Sequence, residues 1–347
     1  MMGKEIMKKN TFIVAEISAN HGHNIEIAKQ SILLAKNAGA DAVKIQTYTP
    51  DTITIPCDKE PFRLEHGTIW DGMNLYELYQ QAYTPYEWHK ALFQYAKEID
   101  VILFSTPFDL TAVDLLEQCG NPIYKIASFE IADIPLIEYA AAKGKPMILS
   151  TGIATLEEIE EAVETCRNVG NEDITLLKCT SEYPAQIKDA NLAMLQDMKK
   201  RFGVKVGLSD HTIGSFVPTV AVSLGATVVE KHFIMDKSIG GPDASFSMTP
   251  SEFQEMVQNI RNVEQAMGVV SYELTEKKIN SRKLGRSLFV VKDIQEGEEF
   301  TNENIRSIRP GTGLPPKYIH EIIGKKATES LTFGTPMKWA YVANKIK

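Results

Sequence analysis

Two histidines, each stationed just past an apolar run, are where this chain gathers groups able to do chemistry. Within VKVGLSDHTIGSFVPTVAVSLGATVVEKHF, Val204, Val206 and Leu208 lead into Ser209-Asp210-His211, and Val228 and Val229 lead into Glu230-Lys231-His232. Between them, Phe216 to Leu224 carries helical spacing and is followed by a glycine, so the stretch reads strand, helix, strand. In a parallel α/β sheet or barrel the strand ends face one side, which brings both imidazoles to the C-terminal rim of neighbouring strands. Neutral imidazole is a common ligand, and such a pair suits a divalent metal that keeps open positions for substrate. A satisfied structural histidine is the plain alternative for either residue alone; two on adjacent strands favour a metal or direct catalysis.

Two lysines add a second kind of chemistry. In DAVKIQTY (Asp41 to Tyr48), Lys44 and Gln46 alternate with Val43 and Ile45 and so share one face. On an open sheet that face is solvated; in a closed barrel it points inward, where an ionised lysine needs a partner. Lys125 sits mid-strand in PIYKIAS (Pro122 to Ser128). Polar groups recur near the ends of other strands: Glu16, Ser105-Thr106, Ser128 with Glu130, Ser150-Thr151, Ser181 with Tyr183, and Ser209 and Glu230 beside the histidines. Singly, each is ordinary turn chemistry after a strand. Repeated around a ring, the set marks a catalytic face.

The elements that must position these groups follow from periodicity. Apolar strand patterns at Thr11 to Ser18, Asp41 to Tyr48, Val101 to Thr106, Pro122 to Ser128, Pro146 to Gly152 and Asp173 to Thr180 alternate with helical patterns, and the His211 and His232 stretch supplies the seventh and eighth strands. Thr249 is placed to cap a last long helix over Ser251 to Met267. Eight such repeats in about 260 residues predict a (β/α)8 TIM barrel rather than an open doubly wound sheet. No dinucleotide or P-loop glycine motif interrupts them. Thr49 to Pro85 reads as a long irregular connection with a short helix at Asn74 to Gln81, of the kind that serves as a lid or binding loop. The barrel is expected over 1–272, a charged linker over 273–285, and a small β-rich unit over 286–347.

Composition narrows the function class. The 347 residues carry 37 Lys and Arg against 45 Asp and Glu, a net charge of −8, so neither a nucleic acid nor an acidic membrane is expected as partner. An anionic small substrate remains compatible, because local lysines rather than net charge decide its binding. The N-terminal MMGKEIMKKN lacks a signal-peptide pattern, and no apolar run reaches the roughly 20 residues of a membrane span. Cys57, Cys119, Cys166 and Cys179 lie far apart without C-x-x-C spacing, which predicts reduced thiols in a cytoplasmic protein.

AEISANHGH (Ala15 to His23), VKIQTY (Val43 to Tyr48), STPF (Ser105 to Phe108), YKIASFE (Tyr124 to Glu130), LSTGI (Leu149 to Ile153), KCTSEYP (Lys178 to Pro184), GLSDHT (Gly207 to Thr212) and EKHF (Glu230 to Phe233) together resemble the bacterial sialic acid synthase family. RSLFVVKDIQEGE followed by IRPGTGLPP resembles its C-terminal antifreeze-like (SAF) domain. KIQTYTPD and WDGMNLYELYQQAYTPYEWH look most like the branch of that family that makes pseudaminic acid, a bacterial cell-surface sugar used in flagellin glycosylation.

The resemblance implies condensation of phosphoenolpyruvate with 2,4-diacetamido-2,4,6-trideoxy-L-altrose and water, with a divalent metal, Mn2+ or Mg2+, on His211 and His232. It implies that Lys44 and Lys125 hold phosphate or carboxylate, helped by the hydroxyls of Thr106, Ser128, Ser150, Ser181 and Ser209. Gln46, Glu130, Tyr183 and Asp243 match sugar-contacting positions, and Glu16 is the candidate base or water-positioning group. Ser181 stands where sialic acid synthases carry an asparagine. Arg309 is implied to come from the small domain of the other subunit and to reach the sugar N-acetyl group, which makes the active form a domain-swapped homodimer. A sialic or legionaminic acid synthase, and a catalytically silent carbohydrate-binding barrel, are the alternative readings.

Overall fold

The computed structural model describes residues 10–65 and 70–343. The chain divides into two compact units, Met1–Gly268 and Val269–Lys347. In the first, strand and helix alternate as β1 (Phe12–Glu16), α1 (Ile25–Asn37), β2 (Ala42–Thr47), α2 (Pro50–Ile53), α3 (Leu75–Ala82), α4 (Tyr86–Glu98), β3 (Ile102–Pro107), α5 (Leu110–Cys119), β4 (Tyr124–Ile126), α6 (Ile134–Ala141), β5 (Met147–Ser150), α7 (Leu156–Asn168), β6 (Ile174–Cys179), α8 (Met194–Phe202), β7 (Lys205–Asp210), α9 (Phe216–Ser223), β8 (Val228–His232) and α10 (Pro250–Met267). The strands pair in parallel in sequence order, and β8 returns to β1 with Phe12 opposite Val228 and Glu16 opposite His232, closing the barrel.

Alternation along the strands builds two cores. Inward-pointing Phe12, Val14, Ala42, Phe104, Ile123, Ile148, Leu177 and Val228 fill the lower barrel. The opposite parity packs outward against the helices, as Ile13, Ala15, Val43 and Ile45 do with α1 and α10. Gly207 shows how tightly the interior is filled. A Cβ there would stand 2.5 Å from the Val228 carbonyl oxygen and 2.6 Å from Leu177 Cδ2, so only glycine lets β7 close against β8.

Several expectations shift by local chemistry. The fourth strand is shorter than Pro122 to Ser128, because Ser128–Glu130 already turns as a 3-10 helix. Residues 66–69 of the Thr49 to Pro85 connection lie outside the described residues, and on either side of them the connection is more ordered than its composition implies. Thr49 with Thr52 caps α2, which starts on Pro50, and Asn74 with Glu77 caps α3, so two capping boxes give the loop helical anchors. The stretch read as a linker contains α11 (Glu276–Arg282), capped by Thr275.

In the second unit β9 (Ser287–Val290) and β10 (Ile305–Ile308) pair antiparallel, and α12 (Ile319–Ile322) follows. Leu288, Val290, Phe300, Ile305, Ile322 and Met337 form its own core. Among the described residues no helix is long and apolar enough to cross a membrane.

Candidate active site

The inward parity that fills the barrel floor with apolar side chains fills its upper layer with charge. Above Val14 comes Glu16, above Ala42 come Lys44 and Gln46, above Phe104 comes Thr106, above Ile123 comes Lys125, and above Val228 come Glu230 and His232. Lys44 and Lys125 are buried, so each needs an anionic partner. Lys44 Nζ lies 2.8 Å from Glu16 Oε2 and 3.6 Å from Glu230 Oε1, and Lys125 Nζ lies 3.5 Å from the same Glu230 oxygen. Lys44 also donates to Thr106 Oγ1 at 3.1 Å, Gln46 Nε2 donates to Glu16 Oε1 at 3.2 Å, and Ser209 Oγ donates to Glu230 Oε1 at 3.0 Å.

Glu230, counted at the sequence level only as one polar group of the rim, is therefore the hub that two lysines share. Nothing in its local sequence separates it from Lys231, whose opposite parity turns it outward to a buried pair with Asp210 at 2.5 Å.

Two carboxylates beside two ammonium groups do not titrate alike. Burial would raise Glu230, but Lys125 and Lys44 outweigh it and hold its carboxyl below the ordinary range. Burial pushes Glu16 up to about 7 against the pull of Lys44, and the charge on Glu230 adds to the rise. Burial lowers Lys125 despite Glu230, whereas for Lys44 the attraction of Glu16 and Glu230 overcomes burial. The layer thus carries an acid that can take up a proton near neutrality and leave the cluster net positive. That suits a ligand arriving with several negative charges.

Hydroxyls line the neighbouring strand ends. A Cβ on Gly152 would fall 2.2 Å from Ser181 Oγ and 2.8 Å from Ser128 Oγ, so the glycine is what lets these groups converge, and its N–H donates to Ser128 Oγ at 3.1 Å. Ser150 Oγ, on the inward face of β5, is buried without a hydrogen-bond partner among the described residues. A buried hydroxyl left unpaired on the same inward face as the lysines is a group an anion's oxygen would complete.

His211 and His232 come together as their spacing implies, with ring centres 5.2 Å apart. His211 Nδ1 donates to the Thr180 carbonyl at 2.9 Å; burial would lower the ring's pKa, but Cys179 and the Thr180 carbonyl outweigh it and raise it, so Nε2 would offer its lone pair to a metal in exchange for a proton. His232 Nδ1 is buried, has no hydrogen-bond partner among the described residues, and lies 3.7 Å from Asp243 Oδ2. Burial, then His211, keeps the His232 ring well below its ordinary pKa and hence neutral. These donors fit a divalent ion at two of its positions. Among the described residues no cluster of three or more His, Cys, Asp and Glu side chains would enclose one.

Cys179 is a further member that spacing alone did not single out. It ends β6 on the inward side, 4.0 Å from His211 Nδ1 and 3.7 Å from Ser181 Oγ. Burial would raise its thiol, yet the His211 contact brings it down to about 7. Counting outward-inward positions along Ile174–Cys179 would have found it.

Tyr183 stacks at 4.4 Å on His211 and at 5.5 Å against Trp70, and so joins the histidines to the long β2 connection. A cleft of about 190 Å³ opens there, lined by Gln46, Glu130, Tyr183, His232 and Asp243 together with Tyr48, Ile53, Trp70, Leu78, Tyr79, Ala82 and Phe108. Burial pushes Glu130 up to about 7 against the nearby Lys125. A larger hollow of about 670 Å³ lies at the opposite, N-terminal end of the strands, around Asp41, Ile102 and Pro122, away from these groups. Arg309 is carried by the second unit, exposed just past β10.

A closed parallel barrel with buried lysines, hydroxyls and two imidazoles converging at its C-terminal mouth belongs to the class of barrel enzymes that handle small anionic substrates. Residues 31–272 match the NeuB family and residues 285–343 match the SAF domain, and the chain belongs to the NeuB family. It is 51% identical over 326 residues to the pseudaminic acid synthase of Helicobacter pylori, covering 94% of this chain and 96% of that one. It is 36% identical over 336 residues to the N,N'-diacetyllegionaminic acid synthase of Legionella pneumophila, covering 95% and 94%. The crystal structure of the Bacillus subtilis spore coat polysaccharide biosynthesis protein SpsE superposes with a TM-score of 0.65 at 33% identity, covering 98% of this chain and 99% of that one.

Proposed function

We propose that the protein is a pseudaminic acid synthase, condensing phosphoenolpyruvate with 2,4-diacetamido-2,4,6-trideoxy-L-altrose and water to give pseudaminic acid and phosphate. The observation that carries this reading is the buried charge layer: two lysines on a shared glutamate, with paired imidazoles at the same barrel mouth and the unpaired Ser150 hydroxyl on the same inward face. The higher identity to a pseudaminic acid synthase than to a legionaminic acid synthase favours this acceptor over its relatives.

Lys44 and Lys125 hold the phosphate and carboxylate of phosphoenolpyruvate, while Ser128, Ser150, Ser181, Thr106 and Ser209 supply hydroxyls at strand ends around them. Gln46, Glu130, Tyr183 and Asp243 line the cleft where the open-chain sugar lies. The enol carbon forms a bond to the sugar aldehyde carbon as the aldehyde π bond opens; water adds to the resulting cationic carbon and gives one proton to the former aldehyde oxygen, and the C–O bond to phosphate then breaks as the remaining hydroxyl proton leaves with the phosphate and the ketone forms. Glu16, poised near neutrality, orients that water or takes its proton. His211 and His232 would hold a divalent ion, Mn2+ or Mg2+, whose Lewis-acid chemistry would assist at the aldehyde. Arg309 from the second unit of a partner copy completes the acceptor site in a domain-swapped homodimer.

The test is phosphate release from phosphoenolpyruvate, measured with the diacetamido acceptor, with N-acetylmannosamine and with no sugar, each with and without divalent metal. Release that requires both the diacetamido sugar and the metal is expected. Release indifferent to acceptor, or sugar binding with no release, would overturn the reading.

A further inference from the structure

The cleft has two unlike sides. Gln46, Glu130, His232 and Asp243 present polar atoms, whereas Ile53, Leu78, Ala82 and Phe108 present none. The apolar side is built by the β2 connection and the end of β3: Ile53 ends α2, Leu78 and Ala82 share one face of α3 at i and i+4, and Phe108 follows β3. Tyr48 and Tyr79 brace it, with ring centres 5.5 Å apart, and Tyr48 stands 5.0 Å from Phe108. Leu78 is buried at 7% exposure, and Ile53, Ala82 and Phe108 are half-buried. The imidazoles arrive from β7 and β8, whereas the apolar residues come from the connection after β2 and the end of β3, so the two line the cleft from different strands of the barrel mouth.

We propose that this wall selects the acceptor by its deoxygenated end. The inference rests on the reading given above. The sugar's aldehyde must lie at the His232 end, beside phosphoenolpyruvate, which sends C5 and the C6 methyl toward Leu78, Ala82, Ile53 and Phe108. A methyl group there displaces water from apolar surface. A hydroxymethyl group would bring an oxygen against Ile53, Leu78, Ala82 and Phe108, whose side chains can neither donate to it nor accept from it. Apolar pockets reject an added hydroxyl only moderately, by a factor on the order of 100 in kcat/KM.

The experiment compares kcat/KM for 2,4-diacetamido-2,4,6-trideoxy-L-altrose with that for its 6-hydroxy counterpart, in the wild type, Leu78→Gln and Ala82→Ser. The wild type is expected to prefer the 6-deoxy sugar by roughly 10- to 100-fold. Either substitution should cut that preference by about tenfold through the acceptor KM, with the phosphoenolpyruvate KM unmoved. Ala82→Ser adds a single oxygen to a half-buried helical position and keeps the test usable if Leu78→Gln loses stability. Equal turnover of the two sugars by the wild type, or a full preference retained in folded Ala82→Ser, overturns the inference and leaves the synthase reading standing. Absence of phosphate release with every amino sugar overturns that reading and the inference with it.

Discussion

At the scale of single residues, the charge layer behaves as one object because Glu230 serves two cations. Lys125 Nζ has Glu230 at 3.5 Å as its anionic contact, and Lys44 has both Glu16 and Glu230. Removing Lys125 takes away half the positive charge available to an incoming trianion. Lys125→Ala is therefore expected to raise the KM for phosphoenolpyruvate by about 10- to 100-fold, the worth of one charge-assisted hydrogen bond. The acceptor KM should change far less. Steady-state kinetics with each substrate varied in turn decides it, and an unchanged phosphoenolpyruvate KM would remove the lysine from its assigned role.

At the scale of elements, two packing features carry expectations for stability. Gly207 lets β7 approach β8, and its Cβ position is occupied by backbone as well as by Leu177, so relaxation must move a strand. Gly207→Ala should lower unfolding free energy by about 3 kcal/mol, read from a shift of the urea midpoint with the slope unchanged.

His21, in the loop after β1, is buried against Thr84 and Trp88, with Nε2 3.2 Å from Thr84 Oγ1 and rings 5.5 Å apart from Trp88. Burial, with His23 nearby, lowers it from 6.5 to about 4. Between those values the unfolded chain takes up a proton that the folded chain refuses, so stability is greatest above pH 6.5 and declines as pH falls toward 4. The loss from this group approaches about 3 kcal/mol at the acid end. Urea midpoints at pH 7 and pH 5 should differ more in the wild type than in His21→Asn; equal differences would place the acid sensitivity elsewhere.

At the scale of the whole molecule, the proposed exchange of Arg309 between copies makes a prediction no single-chain account makes. Arg309→Ala and Lys125→Ala would each be strongly impaired alone when assayed at phosphoenolpyruvate far below the raised KM of Lys125→Ala. Co-expressed, they would form mixed dimers holding one site with both residues intact, and activity should return to about a quarter of the wild type. Failure of any mixture to recover activity would mean that each chain completes its own site or that Arg309 plays no part.

The sequence alone determined the barrel, because strand alternation and helical periodicity are local properties that survive in any tertiary context. It also determined which side chains share a face, since parity is inherited from the strand: Lys44 and Gln46 fall together, and closure of the barrel turns that face inward. Pairing was not local. That Glu230 would bridge two lysines, that Cys179 would meet His211, and that α2 and α3 would furnish an apolar wall depend on how eight strands close and stagger. The sequence cannot express those distances, because each is set by residues far apart along the chain that only the closed barrel brings within 4 Å.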